Sequence, residues 1–150
     1  MPATFRRATE ADLPAIIALL ADDDLGRGRE SPGDLTPYQA AVADIARDPN
    51  QRICVAEVEG AVVGTMQITF IPGLSRRGAR RGLIEAVRVA RSHRSAGVGR
   101  QMFDWAITLC REEGCALVQL TTDRSRTDAH RFYDSLGFVA SHIGYKLDLR

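Results

Sequence analysis

Apolar residues along this chain recur in two rhythms, and the switches between them mark its elements. After Thr9-Glu10-Ala11-Asp12, which has the form of a capping box with Asp in the usual Glu place, Leu13, Ile16, Ile17, Leu19 and Leu20 fall at helical spacing. They predict a helix over about 10–21. Asp22-Asp23-Asp24 through Pro32-Gly33 is polar and turn-rich, hence a loop. Thr36-Pro37 starts a second helix, with Pro where its missing N–H does no harm, and Pro49-Asn50 stops it near Asp48. The period then changes. Residues 52–58 and 62–71 are rich in strand formers, and Glu59-Gly60 between them marks a hairpin turn. A strand at 83–89 follows a basic loop. Met102, Phe103, Ala106, Ile107, Leu109 and Cys110 then return to the helical period, ending at Gly114. A strand at 116–121, a helix at 127–136 and a last strand from Gly137-Phe138 to about Leu147 complete the expected order. This is a mixed α/β domain spanning residues 1–150, with a largely antiparallel first half.

Length and composition agree with one soluble globular domain. The chain has 150 residues, 45% hydrophobic and 26% charged. No apolar run approaches the roughly 20 residues needed to span a bilayer. The first residues lack a signal-peptide core, and Cys54, Cys110 and Cys115 have no paired spacing. A cytoplasmic protein without disulfides is the expectation.

Charge changes the picture only when divided along the chain. The net +1 conceals nine acidic side chains against five arginines in residues 1–50, and eight arginines against Glu85 alone in residues 76–100. Such a basic block commonly meets an anion. Its C-terminal part has a form of its own: a strand, then Arg94-x-x-Gly97-x-Gly99, then a helix. Glycines let the backbone turn sharply and keep side chains from between the amides and a ligand, while a helix N-terminus directs its N–H groups at the same point. The segment reads as a phosphate cradle, with Arg94 and Arg100 as reinforcement, or as a tight structural turn. It is neither the three-glycine dinucleotide fingerprint nor a Walker A loop.

Glu85-x-Val87-x-Val89 followed by Arg94-x-x-Gly97-x-Gly99 resembles motif A of the GCN5-related N-acetyltransferases (GNAT). Ala129-His130-Arg131-Phe132-Tyr133-Asp134-Ser135-Leu136-Gly137-Phe138 resembles that family's motif B. The resemblance implies a mixed, mostly antiparallel central sheet with helices on both faces and a splayed parallel strand pair, here 83–89 and 116–121. It implies acetyl-CoA as cosubstrate, no metal, and direct transfer of the acetyl group to an amine on a small molecule or a protein. The backbone at Val87 and Val89 would pair with the pantetheine arm. The amides of Ser95, Ala96, Gly97, Val98, Gly99 and Arg100 would hold the pyrophosphate beside Arg94. Tyr133 would protonate the departing thiolate, and a backbone N–H near Val87 would polarise the thioester carbonyl. Homodimers are frequent in the family. One position departs from its pattern: Arg126 stands where many relatives have an asparagine that contacts pantetheine. Arg126 then either reaches a cofactor phosphate or is a solvated loop charge.

An amine acceptor also needs a base, because a primary amine is mostly protonated at neutral pH. Glu85, the only acid in residues 76–100, is the candidate, acting through water. The alternative is a carboxylate paired with Arg88 or with an arginine of 76–81. Glu85, Val87 and Val89 share a strand face only if no bulge intervenes. His93, His130 and His142 form no metal-ligand cluster. Asp22-Asp23-Asp24 with Glu30 and Asp34 suggests a cationic acceptor or simply a solvated loop. Two rival functions remain open on sequence alone: a coenzyme A sensor without turnover, and a basic module in which Arg76-Arg77-Gly78-Ala79-Arg80-Arg81 binds nucleic acid. The second lacks the interleaved aromatics that stack on bases.

Overall fold

The protein is described by a computed structural model, covering residues 2–150. The chain divides into two compact units, Met1–Gln119 and Leu120–Arg150. The first holds a five-stranded sheet in the order β1 (Thr4–Arg7), β2 (Gln51–Val58), β3 (Ala61–Ile71), β4 (Arg80–Val89), β5 (Cys115–Gln119). All neighbours are antiparallel except β4 and β5, which run parallel. Its helices are α1 (Leu13–Ala21), α2 (Thr36–Arg47) and α4 (Val98–Glu112), with α3 (Ser75–Gly78) a single left-handed turn in which Arg76 and Arg77 have φ 55° and 60°. This is the expected mixed fold.

The hairpin forms where alternation and Glu59-Gly60 place it. Both turn residues have positive φ, 52° and 79°, the geometry that matches the right-handed twist of the flanking strands. Four consecutive residues of β3, Val63 to Met66, are buried. Since neighbours on a strand point to opposite faces, both faces of the sheet are covered there. Val98, Met102, Phe103, Ala106 and Cys110 are the buried stripe of α4, each large side chain contributing about 1.5–3 kcal/mol. The stripe lies so close to the sheet that a Cβ on Gly82 of β4 would sit 2.5 Å from the Cys110 sulfur.

Two expectations need correction. Thr4–Arg7, too short to show a period, forms β1, where Phe5 stacks on Trp105 at 5.8 Å. The last strand is not formed. After α5 (Thr127–Ser135) in the second unit, residues 138–150 adopt neither helix nor strand. A strand requires a partner ladder, and among the described residues no backbone–backbone hydrogen bond involves residues 142–149.

Candidate active site

The centre of the candidate site is an irregularity in β4. Its register with β3 runs Thr65↔Arg88 and then Gln67↔Glu85, so Ala86 and Val87 together oppose Met66. Ala86 takes φ +54°, the left-handed conformation found at the first position of one class of bulge, usually in glycine. Pairing with β5 ends at Leu83↔Gln119, although β4 continues to Val89. Ala86 and Val87 therefore have a ladder partner on neither side, at the place where the parallel strands part.

The bulge also decides which side chains share a face. Thr65 and Gln67 lie two apart on β3, so their partners Arg88 and Glu85 point the same way. Val89 pairs with Gly64, against which the Met102 sulfur of α4 packs, and so faces the opposite side. Glu85, Val87 and Val89 do not form the single row that an unbroken strand would give. Glu85 is exposed and makes no ion pair among the described residues. Arg88, its sequence-based alternative partner, is bound instead to Asp23 at 2.8 Å.

Beyond β4 the chain turns into α4 through two left-handed residues, Ser95 (φ 66°) and Gly97 (φ 84°). Gly97 caps the helix in a conformation that glycine adopts without steric cost. The amides of Ser95, Gly97, Val98 and Gly99 donate to no backbone carbonyl, as expected of a helix start. Arg94 bends back and donates from Nε to the Val89 carbonyl at 3.1 Å, and Arg88 donates from Nη1 to the Val87 carbonyl at 2.9 Å. Ala96 donates to the His93 carbonyl at 3.4 Å.

The acidic loop after α1 is held against this region by arginines. Asp23 pairs with Arg88, Asp22 with Arg91 at 3.3 Å, and Asp24 with Arg27 at 3.6 Å. Glu30 accepts from the Tyr38 hydroxyl, and Asp34 accepts from the Thr36 amide. Asp22 also borders an open hollow of about 600 Å³ lined by Ala15, Ala18, Leu19, Pro32 and Val62. The arginines of 76–81 lie at the other end of β4. Arg80 bonds Asn50 at 2.8 Å and covers the buried Phe70 ring, and Arg81 reaches Gln119 at 3.2 Å.

Arg126 and Tyr133 belong to the second unit. Arg126 is exposed at the N-cap of α5. Half-buried Tyr133 packs against Phe132 at 5.6 Å and edge-on to Phe138 at 6.1 Å, and its carbonyl accepts from the Leu136 and Phe138 amides. His130 lies against the Asp123 carbonyl at 3.0 Å.

The profile of the acetyltransferase (GNAT) family matches residues 14–138, from α1 through the bulged strand and glycine turn to the end of motif B. The chain belongs to the GNAT family. Over 143 residues it is 29% identical to an aminoalkylphosphonate N-acetyltransferase of Salmonella typhimurium, spanning 93% of this chain and 87% of that protein. It is also 29% identical to a glucosamine 6-phosphate N-acetyltransferase of Trypanosoma brucei brucei, spanning 89% and 95%. A crystal structure described as a transcriptional regulator from Bacillus halodurans C-125 superposes with a TM-score of 0.95 at 44% identity, covering 99% of this chain and all of that one. This GNAT chain is an N-acetyltransferase.

In this GNAT chain the cysteines are poorly suited to carry an acyl group. Burial pushes the Cys54 thiol up to about 11 and the Cys110 thiol up to about 12, and burial also raises Cys115. A nucleophilic cysteine needs the reverse shift. Sequence reasoning missed the Arg88–Asp23 and Arg91–Asp22 pairs, which join residues more than 60 positions apart and leave no local signal. It also missed the bulge, whose only trace is a break in strand parity.

Proposed function

We propose that this protein transfers an acetyl group from acetyl-CoA directly to a primary amine. The observation that carries the reading is the stretch Ala86–Val87, unpaired on both sides where β4 and β5 part. A thioester seated there would meet a backbone N–H aimed at its carbonyl oxygen. The pantetheine arm would run along Val87 and Val89, sharing or displacing the guanidinium contacts on their carbonyls. The free amides from Ser95 to Gly99, with Ala96, Arg94 and Arg100, would receive the pyrophosphate.

In this scheme the amine nitrogen attacks the thioester carbon, and the oxyanion rests on the amide near Val87. Glu85 takes the amine proton through a water, for which its exposure and lack of an ion pair suit it. The carbon–sulfur bond then breaks, and the Tyr133 hydroxyl protonates the thiolate. Raised cysteine pKa values support transfer without a covalent enzyme intermediate.

The acceptor would lie over the hollow beside Asp22. A cationic acceptor would have to compete with arginine, since Asp22, Asp23 and Asp24 each already hold a guanidinium. A small amine bearing a phosphate or phosphonate fits better. Arg27 and Arg29 are exposed in the same loop, and both curated relatives are named for amines carrying such a group. The nucleic-acid reading has in its favour that the similar Bacillus halodurans structure is described as a transcriptional regulator. Against it, Arg80 and Arg81 are committed to neighbours in the fold, which leaves Arg76 and Arg77 alone at the exposed turn.

No helix among the described residues is long and apolar enough to cross a membrane; together with three free thiols, this supports a cytoplasmic location. The test is release of coenzyme A thiol with aminoalkylphosphonates, amino-sugar phosphates, polyamines and peptides. The reading expects turnover with the first two groups. Exclusive turnover of polyamines or peptides would move the acceptor class, and coenzyme A binding without thiol release from any amine would favour a sensor.

A further inference from the structure

An ion pair that the transfer scheme leaves unused lies nearly buried beside the bulge. The Arg88 side chain is 11% exposed and that of Asp23 21%, whereas in the neighbouring Arg91–Asp22 pair the values are 58% and 45%. Exposed pairs contribute little, but neutralising one partner of a buried pair strands the other charge. Each partner here also holds backbone. Arg88 donates at 2.9 Å to the carbonyl of Val87, the residue without a ladder partner. The Asp23 carboxylate accepts from the Gly26 amide, and the Asp23 carbonyl accepts from the Arg27 amide at 3.0 Å. Gly26 is buried, and its own carbonyl accepts from the Arg29 and Glu30 amides, both at 3.0 Å. The loop after α1 is thus a hydrogen-bonded turn, joined to β4 through two side chains.

Register fixes the face that this link serves. Arg88 and Glu85 oppose Thr65 and Gln67, so both side chains leave β4 on one side of the sheet. The reach of Asp23 to Arg88 places the loop after α1 on that side, with Arg27 and Arg29 exposed in it. We propose that Asp23 and Arg88 are positioning residues, which fix the acceptor-bearing loop to the bulge so that amine and thioester carbonyl meet in one geometry. The peptide at Val87 sets the place of the carbonyl, and the loop sets that of the acceptor. One guanidinium, held at both ends, ties the two placements together. A carbonyl oxygen has two lone pairs, so Val87 can accept from Arg88 and from the pantetheine arm at once. This inference rests on the reading of Ala86–Val87 as the thioester site.

Steady-state kinetics of Asp23→Asn tests it, at saturating acetyl-CoA and with the best amine of the thiol-release panel as acceptor. Asparagine keeps an oxygen for the Gly26 amide but removes the charge that Arg88 faces. The kcat/KM for the amine should fall about ten- to a hundredfold, the cost of a misplacement of about 1 Å. The rise in melting temperature with acetyl-CoA should stay as in the wild type. Arg88→Gln should cost as much, and the double variant no more than the worse single one, because residues that act as a unit are not additive. A pair that serves stability alone would lower the melting temperature and leave kcat/KM of the folded protein unchanged. That result, or losses that multiply in the double variant, overturns the proposal. A wild type that binds acetyl-CoA but acetylates no amine of the panel overturns the transfer reading itself, and the proposal with it. Should Asp23→Asn not fold, Arg88→Lys decides. Lysine keeps the charge but lacks the planar fork that holds carboxylate and carbonyl together, so an unchanged kcat/KM overturns the proposal and a comparable fall supports it.

Discussion

At Asp12, two hydrogen bonds from the Arg6 guanidinium (2.7 and 2.8 Å) and one from the Thr9 amide (2.7 Å) converge on a buried carboxylate. The Arg6 hydrogen bonds are the largest cause that holds its pKa well below the usual carboxylate range. A depressed folded-state pKa means stability present above the unfolded value near 4 and lost as pH falls through the folded one. Asp12→Asn should therefore cost about 1–3 kcal/mol at pH 7, and urea denaturation should show the gap to wild type narrowing as the pH falls below about 4. At Tyr133 the readout is kinetic. Tyr133→Phe keeps the ring packing on Phe132 and Phe138 but removes the hydroxyl, so kcat should fall at least about tenfold with little change in acetyl-CoA affinity. Equal loss in both would contradict the proposed acid.

At the scale of elements, the bulge in β4 stores strain that a substitution can release. A left-handed alanine costs about 1–2 kcal/mol, part of which glycine returns in backbone entropy. Ala86→Gly should raise the free energy of unfolding by about 0.5–1 kcal/mol, measured by chemical denaturation. Gly82→Val should lower it by about 1–3 kcal/mol through overpacking against Cys110. The helices, the hairpin and the glycine turn were legible because their signals are local: the stripe from Val98 to Cys110, Glu59-Gly60, and Gly97 at the start of α4. β1 was hidden because four residues carry too little periodicity. The segment after Phe138 was read as a strand from a true alternation, yet alternation reports only which face wants burial, while pairing depends on a partner elsewhere. Of the candidate site, the turn at the start of α4 was legible from its glycines. The faces of Glu85 and Val89 were not, because one bulge reverses parity.

At the scale of the molecule, the contrast between an acidic first third and a basic stretch from 76 to 100 resolves into contacts. Asp22 and Asp23 meet Arg91 and Arg88, so opposite charges far apart in sequence clamp the loop after α1 onto the end of β4. Arg80 and Arg81 are likewise committed to the fold, and this predicts that DNA or RNA binds weakly and is released at moderate salt, as gel retardation would show. The turn from Arg94 to Arg100 is the place proposed for the cofactor's phosphates. Thermal denaturation with and without saturating acetyl-CoA, on the wild type and on Gly97→Asp, tests that assignment most directly. A ligand at about a hundred times its Kd stabilises by about 2.7 kcal/mol, so the wild type should melt several degrees higher. The variant, with a carboxylate in the cradle and a strained turn, should show no such rise. An unshifted wild type, or a folded Gly97→Asp protein that shifts as much, would contradict the account.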